Sequence, residues 1–234
     1  MSFTAVLFDL DGTLCEHADS AAAVYRGTFE MAGIDRFGEP EELWTALDDP
    51  PDHDDPVGYF ARGFARVAAR HGRTPIDATA LAEGFLETVD YSDVAPRPGA
   101  AAAVEAAMSA GTVGVVTNGP AARQTGKLES LPFGDAFETV VCAGDRQRLK
   151  PNREPFDRAL EALGVRAEEA LYVGDSLEYD VAGAQNAGLT AAWCPTNGEC
   201  DPAPYRPKYV FESLGDLREA LGDGSDDMNG DGDG

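Results

Sequence analysis

Residues 3–14, FTAVLFDLDGTL, decide the fold of this chain of 234 residues. Thr4 to Phe8 is short, is rich in β-branched and aromatic side chains and lacks alternating polar residues, which is typical of a parallel strand covered on both faces. Asp9 and Asp11 follow, and residues two apart in an extended segment point the same way. Gly12 then lets the chain turn sharply. We therefore predict a buried strand that delivers two carboxylates to one site, and such a pair favours a metal ion.

Three later segments also place polar residues directly after an apolar run or in a loop before a helix. These are Thr112 to Val116 followed by Thr117, Asn118 and Gly119; Lys150 followed by Pro151; and Ala170 to Val173 followed by Gly174, Asp175 and Asp180. The residue before a proline is biased toward extended geometry, which suits a loop at position 150. The chain has only three lysines against 15 arginines, so a lysine there is a rare residue type. Its compact ammonium suits a phosphoryl site.

In this order, the four segments resemble the four signatures of the haloacid dehalogenase-like hydrolase superfamily, most of whose members are magnesium-dependent phosphatases. Residues 9–13 match its DxDGT signature, and Thr117 matches the hydroxyl residue that hydrogen-bonds the phosphoryl group. Lys150 matches the lysine before proline, while Asp175 and Asp180 match a GD pair with a second aspartate five residues on. The matches extend over residues 9 to 180 and predict a phosphatase.

The resemblance implies a role for each of these residues. Asp9 would be the nucleophile and would form an aspartyl-phosphate, a known role of carboxylates in covalent catalysis. Asp11 would carry the proton to the leaving alcohol and later accept one from water. The family places Mg²⁺ between the carboxylates of Asp9 and Asp175 and the backbone carbonyl of Asp11. Such a cation is needed because unit charges about 4 Å apart repel by roughly 4 kcal/mol at an effective dielectric of 20.

The remaining signature residues would bind the phosphoryl group. Lys150 would hold a phosphoryl oxygen and the nucleophile. Thr117 and the backbone around Asn118 and Gly119 would bind the other oxygens, which is charge stabilisation aimed at the transition state. Asp180 would have a supporting role and would orient Lys150 or a water on the metal. The resemblance thus predicts a complete phosphoryl-transfer site.

Three alternatives to a phosphatase of small phosphomonoesters remain open. Phosphomutases of sugar phosphates keep both aspartates, so the first signature does not exclude transfer to a second sugar hydroxyl. A 2-haloacid dehalogenase is less favoured, because its halide leaves without a proton and those enzymes lack an aspartate at the position of Asp11. A non-catalytic binding protein on the same fold is also less favoured, since binding would not require both a nucleophile and a proton carrier.

The spacing of the signatures predicts the domain organisation. Between the first and the second signature lies a stretch of about 80 residues, 16–94, whose apolar residues recur at helical intervals. In the family, such an insertion is a helical cap that selects the substrate. We place a Rossmann-like core of α/β class, with a doubly wound parallel sheet, at residues 1–15 and 95–221, the cap at 16–94 and a disordered acidic tail at 222–234. Further strands are predicted near residues 112–116, 138–142, 170–173, 189–194 and 208–211.

The charge balance indicates the partners and the surroundings. The chain has 18 basic and 42 acidic residues, a net charge of −24, which argues against nucleic acid and anionic membranes as partners. Scarce lysine and abundant aspartate resemble halophilic proteins of salt-accumulating archaea, where concentrated cations screen repulsion. The N-terminal residues lack a basic segment and a long apolar stretch, so we expect a cytoplasmic protein without signal peptide or membrane span. The expected partner is a small-molecule phosphate ester.

Overall fold

The computed structural model describes residues 3–18, 20–47, 55–90, 92–196 and 201–222. It divides the chain into two compact units, one made of Met1–Glu16 and Val94–Gly234 and the other of His17–Asp93. We call them the sheet unit and the helical unit. The tail predicted at 222–234 lies outside the described residues, apart from Gly222.

The sheet unit confirms the predicted α/β fold class with a six-stranded parallel sheet. The strands of the described residues are β1 (Ala5–Phe8), β2 (Cys15–His17), β3 (Val94–Pro96), β4 (Thr112–Thr117), β5 (Thr139–Cys142), β6 (Ala170–Gly174), β7 (Thr190–Trp193) and β8 (Tyr209–Val210). The order in the sheet is β5-β4-β1-β6-β7-β8, and β2 pairs with β3 in a separate two-stranded sheet. Strand β1 therefore lies between β4 and β6, at the centre of the sheet.

Helices cover both faces of this sheet. The helices of the described residues are α1 (Ala21–Ala32), α2 (Pro40–Ala46), α3 (Pro56–Arg70), α4 (Ala78–Thr88), α5 (Ala100–Ala110), α6 (Ala121–Ser130), α7 (Glu154–Leu163), α8 (Ala182–Ala187) and α9 (Leu217–Gly222). Val6 and Phe8 pack with α5, α6 and α9, while Ala5 and Leu7 pack with α7 and α8. Each fully buried large apolar side chain contributes about 1.5–3 kcal/mol, so the absence of polar residues in β1 is explained by its two covered faces.

The helical unit contains α1 to α4 around an aromatic core. Phe64, Tyr25 and Phe29 are buried there, with ring centroids 5.0 Å apart for Tyr25 and Phe29 and 6.1 Å apart for Phe29 and Phe64. Side chains cap the helix starts, since Ser20 accepts a hydrogen bond from the backbone of Ala23 and begins α1. Helices of this kind agree with the apolar spacing in the sequence.

Each unit closes on itself through a backbone hydrogen bond near the points where the chain enters and leaves it. Within the helical unit, the backbone N–H of Ala18 donates to the carbonyl of Asp93 at 3.0 Å. Within the sheet unit, the N–H of Arg97 donates to the carbonyl of Leu14, also at 3.0 Å. Strands β2 and β3 were not predicted, because three residues are too few to show a period.

The C-terminal end of the sheet unit consists of a tight turn and a short helix. Leu214–Asp216 forms a 3₁₀ turn, and α9 begins only at Leu217. The capping box between Ser213 and Asp216 accounts for the tight first turn, because each residue's side chain binds the other's backbone. Among the described residues, no helix is both long and apolar enough to cross a membrane.

Candidate active site

The predicted site residues converge at the carboxyl edge of the sheet, where the direction of winding changes. After β1 the chain adds β4 and β5 on one side and then β6, β7 and β8 on the other. Open α/β sheets bind ligands at such a switch point. Asp9 directly follows β1, Thr117 is the last residue of β4, and Asp175 directly follows β6. Strand pairing therefore brings residues that are more than 160 positions apart to one edge.

Lys150 is the centre of the most buried cluster at this edge. Its Nζ lies 2.6 Å from Asp9 Oδ1, 2.6 Å from Asp180 Oδ1 and 2.9 Å from the hydroxyl of Tyr172. The Tyr172 hydroxyl is in turn 2.9 Å from the carbonyl oxygen of Val116. An ammonium has three N–H donors, so each donor of Lys150 has an acceptor. Contact with a phosphoryl oxygen would therefore require Lys150 to share or exchange one of these partners.

The backbone of Lys150 is held by Asn118. The Asn118 Oδ1 accepts from the N–H of Lys150 at 2.8 Å, and its Nδ2 donates to the carbonyl of Lys150 at 3.1 Å. Both ends of the Asn118 amide are thus used in fixing the loop that carries the lysine. The side chain of Asn118 acts as a clamp on this loop, whereas the prediction for this position concerned its backbone.

The surroundings of Asp175 and Asp180 include two glycines and a backbone hydrogen bond. Gly12 has φ +78°, and a Cβ there would lie 2.5 Å from Asp175 Oδ2. A Cβ at Gly174 would lie 2.4 Å from the side chain of Asp180, so only glycine fits at this position. Asp180 Oδ2 also accepts the backbone N–H of Ser176 at 2.9 Å. Glycine is therefore required at positions 12 and 174 because the backbone there lies close to the carboxylates of Asp175 and Asp180.

The carboxylate of Asp11 is turned toward helix α6. Lys127 forms an ion pair with Asp11 Oδ1, and Gln124 Nε2 donates to Asp11 Oδ2 at 2.7 Å. Gln124 and Lys127 are both buried, whereas 47% of the Asp11 side chain is exposed. The predicted metal contact of this residue was its backbone carbonyl, so the position of its carboxylate does not conflict with that prediction.

The hydroxyl of Thr117 has a defined direction. Its Oγ1 accepts from Gln124 Nε2 at 2.7 Å and from the backbone N–H of Gly119 at 3.2 Å. A threonine hydroxyl has one hydrogen and two acceptor lone pairs, so both lone pairs are used and the hydrogen is directed elsewhere. Thr117 can therefore donate its hydroxyl hydrogen to a ligand oxygen that accepts hydrogen bonds, such as that of a phosphoryl group.

Burial and like charge raise the pKa values of two carboxyl groups. The pKa of Asp9 is raised to about 8, mainly by burial, against the attraction of Lys150 and with added repulsion from Asp180. Burial and the charge of Asp180 raise the pKa of Asp175 to about 6. Burial opposes the charge of Lys150, but the two aspartates outweigh it and raise its pKa. The positive charge that the protein supplies is therefore too small to favour the ionised forms of both Asp9 and Asp175.

The carboxylates fit a divalent cation. Oxygen atoms of Asp9, Asp175 and Asp180 lie within 4.8 Å of one another. One ammonium, that of Lys150, contacts two of these carboxylates, so negative charge is in excess when all are ionised. An oxygen-only donor set with excess negative charge suits Mg²⁺ or Ca²⁺. The structure brings together Asp9 and Asp175, whose role as metal ligands stays a prediction, and places Asp180 in the same group.

Four residues of the site were missed from the sequence, namely Gln124, Lys127, Tyr172 and Thr13. Thr13 Oγ1 donates to Asp175 Oδ1 at 3.2 Å, which holds that carboxylate in place. A usable signal existed for α6, because Gln124 and Lys127 share a buried face with Leu128 at helical spacing. Polar residues on a buried helix face mark a polar partner. Tyr172 gave no such signal, since it lies within an apolar strand.

The helical unit has a cavity of its own, of about 150 Å³. Its lining is mostly apolar and aromatic and includes Tyr25, Trp44 and Phe85, with His17 and Asp90 as polar members. Among the described residues, the acidic group with metal-ligand spacing lies in the sheet unit and not around this cavity. The chemistry-bearing residues are therefore concentrated at the edge of the sheet.

Comparisons with known proteins find a matching family model and related sequences. The family model for haloacid dehalogenase-like hydrolases matches residues 3–188. The chain is 31% identical over 173 residues to a pyrimidine 5′-nucleotidase of Escherichia coli (strain K12), covering 70% of this chain and 76% of the relative. It is 28% identical over 238 residues to a phosphoglycolate phosphatase of Shigella boydii serotype 4 (strain Sb227), covering 93% of this chain and 92% of the relative.

A solved structure supports the fold. A magnesium-bound structure of a Bacillus subtilis protein described as a HAD-hydrolase is similar with a TM-score of 0.74 at 22% identity. The similarity covers 95% of this chain and 100% of that one. At this level of identity, the similarity shows a shared fold.

Proposed function

The chain belongs to the haloacid dehalogenase-like hydrolase family, and on that premise we propose that it is a magnesium-dependent phosphatase of small phosphomonoesters. The observation that carries the proposal is the buried contact of Asp9 with Lys150, at the switch point of the sheet and beside Asp175. A carboxylate paired with a lysine at this position can attack phosphorus. Asp11 follows two residues later, and its side chain is half exposed.

The reaction proceeds in two steps. A carboxylate oxygen of Asp9 forms a bond to phosphorus while the bond from phosphorus to the ester oxygen breaks, and Asp11 gives its proton to the leaving alcohol. Water then attacks the phosphorus, the bond from phosphorus to Asp9 breaks, and Asp11 takes up the proton of the water. Thr117 donates its hydroxyl hydrogen to a phosphoryl oxygen in both steps.

Mg²⁺ would be held by the carboxylates of Asp9 and Asp175 and the backbone carbonyl of Asp11. It would supply the positive charge that lets a phosphoryl dianion approach these carboxylates. Asp180 has a supporting role, since it contacts Lys150 and fixes the position of its ammonium beside Asp9. The fit of the donor set to a hard divalent cation supports this part of the proposal.

The substrate class is a small phosphate ester. The two relatives described above are a pyrimidine 5′-nucleotidase and a phosphoglycolate phosphatase, and both names refer to small-molecule substrates. These names differ in the leaving alcohol and share the phosphoryl group, so they support the class rather than one compound. The role of a substrate-selecting cap, implied for residues 16–94, stays a prediction.

The test is phosphate release from a panel of phosphomonoesters in molar potassium chloride with Mg²⁺. The panel contains nucleoside monophosphates, sugar phosphates and phosphoglycolate, each assayed with the wild type, with Asp9→Asn and with the wild type plus a chelator. We expect release from the wild type that both controls abolish. Release that persists in Asp9→Asn would contradict the nucleophile assignment. A folded wild type that releases no phosphate but transfers it between sugar hydroxyls would replace the phosphatase by a phosphomutase.

A further inference from the structure

We propose that Gln124 and Lys127 are positioning residues for catalysis, which hold the carboxylate of Asp11 and the hydroxyl of Thr117 in their working orientations. The inference rests on the proposed function, because it takes Asp11 as the proton carrier and Thr117 as a phosphoryl donor. It assigns a role to the buried polar face of helix α6. None of the four sequence signatures includes this face.

The burial of the two side chains is the first argument. Gln124 is 1% exposed and Lys127 is 4% exposed, and they lie three residues apart on one face of α6. A buried ammonium or amide without partners is costly, and apolar residues of similar size stabilise a fold as well or better. Stability of α6 alone therefore does not explain a lysine and a glutamine on this face.

The hydrogen bonds of Gln124 are the second argument. A carboxylate only accepts hydrogen bonds, so the end of the amide that faces Asp11 must be the NH₂ group. Its two hydrogens then go to Asp11 Oδ2 and to Thr117 Oγ1, each at 2.7 Å. One amide nitrogen thus joins the proton carrier to the phosphoryl-binding hydroxyl. Because Gln124 occupies a lone pair of Thr117, it also directs the hydroxyl hydrogen of Thr117 away from α6.

The contact of Lys127 is the third argument. It binds Asp11 Oδ1 while Gln124 binds Oδ2, so both carboxylate oxygens of Asp11 are held from one helix. Asp11 is nevertheless half exposed, so its side chain is fixed in direction without being withdrawn from contact with a ligand. Orientation of a reacting group lowers the entropy cost of the reaction step. Loss of either contact should leave Asp11 present but poorly oriented.

The experiment compares two leaving groups under single-turnover conditions, with enzyme in excess. An alkyl phosphate from the active panel needs a proton from Asp11 when the alcohol leaves, whereas p-nitrophenyl phosphate releases a stable anion without one. We expect Lys127→Met and Gln124→Met to slow the first step with the alkyl ester by roughly 10-fold or more, within the usual contribution of general acid catalysis. With p-nitrophenyl phosphate, Lys127→Met should slow the first step by less than about threefold, because only the orientation of the proton carrier is lost. Gln124→Met should slow this step more than Lys127→Met does, because Thr117 also loses a hydrogen-bond partner, but still less than it slows the alkyl ester.

Two controls separate positioning from structure. Lys208→Met makes the same chemical change at an exposed lysine of the sheet unit and should leave both rates unchanged. Lys127→Met introduced into Asp11→Asn should slow the alkyl ester no further than Asp11→Asn alone, because the lysine acts through Asp11. Thermal melts of every variant establish that it is folded, and Gln124→Met provides the test if Lys127→Met is not.

Equal slowing with both leaving groups, no slowing with either, or an additional loss in the Asp11→Asn background would overturn the proposal. Failure of the proposed function has a different result, since the folded wild type itself would then release no alcohol from any ester. If the wild type is active but the variants slow both esters equally, the result contradicts only the positioning role of Gln124 and Lys127, not the proposed function.

Discussion

The two aspartates after β1 each contact a buried lysine, but their surroundings differ. The side chains of Asp9 and Lys150 are 9% and 2% exposed, and Lys150 also contacts Asp180 and Tyr172. The side chain of Asp11 is 47% exposed, although the side chain of its partner Lys127 is only 6% exposed. Two aspartate–lysine pairs, whose aspartates are two residues apart in sequence, thus lie in a buried and in a half-exposed environment.

The difference matches the two tasks that we propose. A nucleophile must lie at a fixed position relative to phosphorus, and a closed network of buried contacts fixes Asp9. A proton carrier must meet first an alcohol and then a water, so it needs access to the solvent side of the site. The environment of each carboxylate, rather than its residue type, therefore separates their roles. The following predictions test this comparison.

The largest effect is expected from the aspartates themselves. Asp9→Asn removes the nucleophile and should lower the rate of phosphate release by at least about 10⁴-fold, since a covalent route is lost. Asp11→Asn removes a proton carrier and should cost about 10²- to 10⁴-fold with alkyl esters. Steady-state rates on the best ester of the panel measure both. A larger loss in Asp11→Asn than in Asp9→Asn would reverse the assignment of roles.

The second effect concerns stability in the absence of divalent cations. Lys150→Met leaves Asp9 and Asp180 without their buried partner and should lower the free energy of unfolding by about 3–5 kcal/mol. Lys127→Met leaves the half-exposed Asp11, which water can solvate, and should cost clearly less. Urea titrations with a chelator present measure both values, with Lys208→Met as the matched lysine control. Equal losses at positions 150 and 127 would show that the difference in exposure has no energetic meaning.

A third effect is the pH dependence that the acidic cluster produces. The pKa of Asp175 is raised to about 6 from 3.8, so the folded state binds a proton more tightly than the unfolded state. This contribution stabilises the fold fully below about pH 4 and is lost as the pH rises through about 6. The chelator-treated wild type should lose more stability between pH 4 and 7 than Asp175→Asn. Urea titrations at several pH values measure the difference between the two proteins.

Added cation provides the control for that pH dependence. Mg²⁺ binds the ionised carboxylates, so it should stabilise the wild type more at pH 7 than at pH 5. The same addition should have a smaller effect on Asp175→Asn, which lacks one proposed ligand. Stabilisation by Mg²⁺ that is equal in both proteins and at both pH values would contradict the proposed cation site.

The smallest effect is expected from salt, which acts on the surface charges and hardly on the buried pair. The net charge is −24, and molar potassium chloride screens repulsion beyond about 3 Å. We expect the melting temperature of the wild type to rise by a few degrees, and that of Lys150→Met to rise equally, because buried pairs are screened much less. Thermal melts in dilute buffer and in molar salt test this expectation. No stabilisation by salt would contradict the halophilic interpretation.

The positions of the sheet strands and of the polar residues at their ends could be predicted because one pattern carries both. Apolar runs without alternation, such as Thr4 to Phe8, identify strands covered on both faces, and polar residues follow each run. The predicted strand near 112–116 forms at Thr112–Thr117, and the one near 170–173 forms at Ala170–Gly174. Parallel pairing then places all their ends at one edge without further information.

The contacts within the site could not be predicted to the same depth. Nothing in the sequence indicates that all three donors of Lys150 are taken by Asp9, Asp180 and Tyr172, because a strand tyrosine resembles any other core aromatic. The ion pair of Lys127 with Asp11 joins residues 116 positions apart. Whether Lys127 faces Asp11 depends on how α6 packs against the sheet unit. Such packing is a tertiary effect that local sequence patterns do not encode.

The backbone hydrogen bonds that close each unit have a consequence for the history of the molecule. The hydrogen bond from Ala18 to Asp93 closes the helical unit on itself, and the one from Arg97 to Leu14 closes the sheet unit. An inserted segment whose two ends meet can be lengthened, shortened or exchanged for another without breaking the strands that carry the chemistry. Evolution could thus vary one part of the chain while leaving the other unaltered. A swap of residues 18–93 between relatives would reproduce that step in the laboratory.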